Sequence, residues 1–159
     1  MSTLDDLIVP SPRFQRAVHI RYDLRDPETL DRYVPTLSAV AGIDAVIRGV
    51  DPNGTQRAHV LHAAYGSGKS LLAVALAALL ENPAQLSDQI ERLSKRIGEV
   101  DQDVGRIVDA HLNKKRHRRL LPVVLSGDEG DLTTALTRAL ARALSDADLK
   151  HIKPQTRFN

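Results

Sequence analysis

The stretch His59 to Leu80, HVLHAAYGSGKSLLAVALAALL, constrains this chain more than any other. A β-rich run, Val60 to Ala63, leads into a glycine-bearing turn. The turn opens into Leu71 to Leu80, which is apolar throughout and rich in strong helix formers. The pattern is strand, loop, helix. Ala63-Ala64-Tyr65-Gly66-Ser67-Gly68-Lys69-Ser70 fits the phosphate-binding P-loop with one substitution, Ala63 standing where the usual pattern has its first glycine. Gly66 and Gly68 reach backbone angles closed to other residues, so successive amides can turn inward around a polyphosphate. The helix start behind them adds unsatisfied donors and a dipole. Residues 63 to 71 are therefore the candidate nucleotide-binding segment. In it Lys69 meets the β and γ phosphates as the catalytic cation, and the Ser70 hydroxyl completes the coordination of Mg²⁺. The ligands expected are ATP and Mg²⁺.

A P-loop implies a sheet, and the composition agrees. With 159 residues the chain can form one ordinary domain, and with 42% hydrophobic but 3% aromatic residues its core must be aliphatic. The expected class is α/β, a partial P-loop NTPase fold with a mainly parallel sheet flanked by helices. The organisation expected is an N-terminal strand and helix segment over 1–56, an incomplete nucleotide-binding core over 57–145 with a helical insertion at 84–113, and a tail over 146–159. Cysteine is absent, which excludes disulfides and thiolate metal sites. No apolar run is long enough to cross a bilayer and no signal peptide precedes MSTLDD, so a cytoplasmic protein is expected. The net charge of +2 does not by itself argue for nucleic acid.

In chain order, Ala17 to Tyr22 alternates weakly and reads as a strand. Asp26-Pro27 reads as a helix cap followed by a first-turn proline. Pro35 begins a helix in which Leu37, Val40, Ala41, Asp44 and Ile47 share a face, widened by Ile43, Val46 and Val50. Asp51-Pro52-Asn53-Gly54 is a turn. After the P-loop helix, Asn82-Pro83 stops the pattern. Leu86, Ile90, Leu93, Ile97, Val100, Val104 and Ile107 then keep heptad spacing, with Gly98 and Gly105 inside and a bend or break expected near residue 98. This segment is either a helical hairpin packed on the same domain or an intermolecular coiled coil, which leaves an oligomer open.

The basic run Lys114 to Arg119 suits DNA phosphates or a solvated helix end beside the C-terminal dipole. Leu120 to Leu125 reads as a second buried strand. Asp131 caps a helix with an apolar face of Leu132, Ala135, Leu136, Ala139, Leu140, Ala143 and Leu144. Asp128 and Glu129 are the acidic pair after that second strand. They are either loop carboxylates and caps or catalytic residues that support the metal. His59 and His62, three apart on a strand, face opposite sides and form no metal pair. Arg13 and Arg16 are further phosphate candidates.

The segments VPSPRFQRAVHIRYDL, YVPT, AYGSGKSLLAVALAALL and LLPVVLSGDEGDLTTALTRALARAL together resemble the N-terminal region of large bacterial P-loop ATPases of phage-defence islands, including BREX-type ATPases. The resemblance implies an AAA-like ATPase acting on DNA with other defence-system proteins, its true acidic strand lying beyond Asn159. Only Gly66, Gly68, Lys69 and Ser70 carry over residue by residue. Two readings from other classes stand beside it: a small-molecule P-loop kinase, and a non-catalytic module that binds a partner under nucleotide control.

Overall fold

Helix α4, Lys69–Glu81, buries more of its residues than any other described helix. In the computed structural model, which describes residues 18–113, 120–125, 127, 130–149 and 152, it buries Leu72, Val74, Ala75, Leu76, Ala78 and Leu79. A helix apolar on all sides must be covered on all sides. The helices packed on it are α1 (Ile20–Asp23), α2 (Pro27–Arg32) and α3 (Leu37–Val50); α5 (Ser87–Val100) and α6 (Gln102–Asn113) pack on each other and on α2 and α3, and α7 (Leu132–Asp146) follows further along the chain. Val74 and Leu79 are fully enclosed, and burial of side chains of that size contributes about 1.5 to 3 kcal/mol each.

The expected parallel sheet does not form: the described residues contain helices and no strand. Val60 to Ala63, expected as the P-loop strand, is irregular and open to water, with Val60 92% exposed. Leu120 to Leu125, expected as the second strand, is half-buried at 121 to 124 but joins no ladder, and its Leu120 amide donates to the Leu80 carbonyl of α4 at 3.3 Å. Both runs have β-branched residues, but a strand's hydrogen bonds must come from another strand, and here helices occupy the flanks of α4. The stretch read as a first strand ends in α1 instead. The Asp23 carboxylate folds back to accept the His19 amide at 2.7 Å, and the His19 and Tyr22 rings touch at 4.6 Å, so local bonds close a helical turn.

Helix boundaries set by local chemistry stand where the sequence puts them. Asp26 caps α2 through the Glu28 amide, with Pro27 in the first turn. Gly54 donates to the Asp51 carbonyl at 2.8 Å and closes the expected turn. Asn82 ends α4 in the left-handed region (φ 47°). Asp131 caps α7 through the Thr134 amide at 2.8 Å, and hydrogen bonds from the Thr134 side chain and then its amide hold the Asp131 carboxyl below the usual range. Helix α3 begins at Leu37 rather than Pro35, with Thr36 as its cap, and its buried line is Val40, Ile43 and Ile47 while Leu37 and Ala41 face water. On α7 only the alanine side and Leu144 are buried; Leu132 and Leu136 are 75% and 45% exposed. The helix runs to Asp146, one residue into the stretch expected as tail.

The 84–113 segment is a hairpin. Its break falls at Asp101, whose carboxylate caps α6 through the amides of Asp103 and Val104 at 2.9 and 3.1 Å, and not at a glycine. The break shifts the helical phase, so Val108 is fully buried and Val100 is exposed. Gly98 and Gly105 lie against each other across the hairpin. The Ser94 hydroxyl donates to Asp109 across it at 2.6 Å.

Candidate functional site

The loop ahead of α4 is bent by two left-handed glycines, Gly66 at φ 77° and Gly68 at φ 83°. Ser67 donates to the Ala64 carbonyl at 3.4 Å, and Gly68 is the N-cap of α4 with no side chain capping the end. The first intrahelical bond of the turn is Leu72 to Gly68 at 2.9 Å. The amides of Lys69, Ser70 and Leu71 precede it and have no acceptor within the helix. They sit at the positive end of the helix dipole.

Lys69 folds back over this loop. Its ammonium donates to the carbonyls of Ala63 and Ala64 at 2.8 and 2.6 Å and lies 3.5 Å from the Ser67 hydroxyl. An ammonium has three protons, and all three have partners in this loop, the longest of them to Ser67. The positive charge is thereby held on the loop that leads into α4, in a site where Tyr65 is fully exposed and Ser70 is half-buried.

Beside the loop opens a cavity of about 380 Å³. Ser67, Gly68 and Lys69 form one side; Tyr33, Val34 and Thr36, from the link between α2 and α3, form the other. Leu71 and Leu72 give it an apolar flank, Ala63 and His62 also reach it, and no acidic residue among the described residues lines it. Ala64, Tyr65 and Gly66 belong to the loop but not to the cavity wall. The Tyr33 side chain is buried, its hydroxyl has no hydrogen-bond partner among the described residues, and burial pushes that hydroxyl up to about 12.

The residues singled out in the sequence divide accordingly. Residues 63 to 71 come together at one helix end. His59 and His62 are not on a strand, so the argument from opposite strand faces does not apply; both are exposed, and no group of three or more metal-ligating side chains occurs among the described residues. Asp128, Glu129, Arg13, Arg16 and the basic run 114–119 lie outside the described residues. The α2–α3 wall was missed. Its fixing group, Arg96, stands more than sixty positions away in sequence, and no local pattern announces it.

No helix among the described residues is long and apolar enough to cross a membrane. No family model, curated protein or solved structure matches the chain.

Proposed function

We propose that residues 63 to 71 bind a nucleoside triphosphate, with ATP and Mg²⁺ the expected ligands. One observation carries the reading: the Lys69 ammonium is held at 2.6 to 2.8 Å from two loop carbonyls, beside a helix start that no side chain caps and that Gly66 and Gly68 shape. That arrangement pairs a held cation with first-turn amides that have no acceptor within the helix, the two features that favour a polyphosphate. Ser70, in the first turn of α4, is the residue to reach Mg²⁺. The adjoining cavity, apolar on its leucine flank, has room for the nucleoside.

Among the described residues the cavity is lined by no carboxylate, and His62 is the lining side chain that can take up a proton. The wider reading, a cytoplasmic ATPase module acting with DNA and partner proteins in phage defence, is supported by the order of segments that resembles BREX-type ATPases. In that reading Asp128 or Glu129 serves the metal and the basic run Lys114 to Arg119 meets DNA.

Titration of wild type and Lys69→Ala with a fluorescent ATP analogue in the presence of Mg²⁺ tests the proposal. A loss of at least about tenfold, or 1.4 kcal/mol, is expected for the variant. Equal affinity removes the reading.

A further inference from the structure

We infer that Arg96, on α5 of the hairpin, is a positioning residue that holds the nucleoside side of the cavity, and that it does so independently of the phosphate loop. The inference rests on the nucleotide reading above. The wall in question is the link Tyr33 to Thr36. It follows a helix of only six residues, α2, whose last carbonyls have no partner within the helix. Its own backbone offers little to fix it: Tyr33 donates to Leu30 at 3.2 Å, Pro35 has no N–H to give, and Val34 is exposed.

Arg96 supplies what the link lacks. Its guanidinium donates to the carbonyls of Leu30, Asp31 and Tyr33 at 2.9, 2.9 and 2.6 Å. Two of these carbonyls sit on Nη1 and one on Nη2, so the planar fork spreads its donors over two nitrogens, a geometry that a compact ammonium does not reproduce. Arg92, one turn earlier, meets the Asp31 carboxylate at 2.9 Å, but both side chains are about half exposed, so that pair contributes little. The phosphate side is secured differently, by the left-handed glycines and by Lys69 on its own loop carbonyls. The two sides of one cavity are therefore held by two unconnected sets of bonds. A ligand that touches only the loop is indifferent to Arg96; one that also packs on Tyr33 and Val34 depends on it.

The test compares two probes, ATP and inorganic tripolyphosphate, each with Mg²⁺, on wild type, Arg96→Lys and Arg92→Gln. Arg96→Lys keeps the charge and removes the fork. Its ATP affinity is expected to fall fivefold or more while tripolyphosphate affinity stays within twofold, and Arg92→Gln leaves both within twofold. A parallel loss for the two probes, or no loss for ATP, overturns the inference and leaves the nucleotide reading standing. Failure of wild type to bind either probe overturns both. Should Arg96→Lys fail to fold, amide exchange on wild type decides: exchange at 33–39 must slow with ATP and not with tripolyphosphate, and the same response to both sinks the inference.

Discussion

The α5–α6 hairpin and the loop before α4 each contain two glycines, and the pairs are there for opposite reasons. In the hairpin, a Cβ on Gly105 would fall 2.6 Å from the Gly98 Cα, so glycine is needed because two helix backbones touch. In the loop, a Cβ on Gly66 or Gly68 would meet nothing within 4 Å, and glycine is needed because φ is +77° and +83°. One pair answers to packing and the other to backbone conformation. The first region secures the fold; the second leaves a turn open to solvent at a helix end, where a ligand can reach it.

The most severe break of this comparison is Gly105→Ala. The methyl group must displace helix backbone, and a loss of about 3 kcal/mol is expected in denaturant unfolding. Gly98→Ala is its internal control: a Cβ there meets the Gly105 Cα at 3.8 Å, ordinary contact, so helix propensity should leave stability unchanged or slightly raised. Equal losses for the two variants would dismiss the asymmetry.

A smaller effect is expected from Tyr33, at the border between the regions. Burial raises its hydroxyl from 10.0 to about 12. The neutral form is favoured in the folded state, so this contribution is complete below pH 10 and is lost as pH rises toward about 12. The loss is on the order of 2 kcal/mol. Tyr33→Phe should flatten the unfolding free energy over that window, and at neutral pH it should cost almost nothing because the hydroxyl has no described partner to lose. An unchanged alkaline slope in Tyr33→Phe would assign it to other groups.

The mildest effect on stability belongs to the loop. Gly68→Ala forces a side chain into the left-handed region and should cost about 1 kcal/mol, with no clash to add. Its signature is a disproportionate loss of nucleotide affinity in the same titration used for Lys69→Ala. A loss of stability matching that of Gly105→Ala would end the distinction between the regions.

Much of the candidate site was legible before any coordinates, because the loop's reach is short. Gly66, Gly68, Lys69 and the carbonyls of Ala63 and Ala64 lie within six positions of one another, and the bonds that shape them are local. The cavity's far wall was not legible. Its fixing bonds run from Arg96 to carbonyls 63 to 66 positions earlier, and a surface arginine among polar neighbours carries no mark of that role.

The same division runs through the fold. Sequence by itself determined where helices start and stop, at Asp26, Asn82 and Asp131, since a cap or a left-handed terminus is satisfied by atoms within about four residues. Only the tertiary structure decided that Val60 to Ala63 and Leu120 to Leu125 do not become strands and that Gly98 meets Gly105. A strand exists only if a distant segment offers its backbone, and here α4 is enclosed by helices whose side chains cover it while their backbone groups are already paired within each helix.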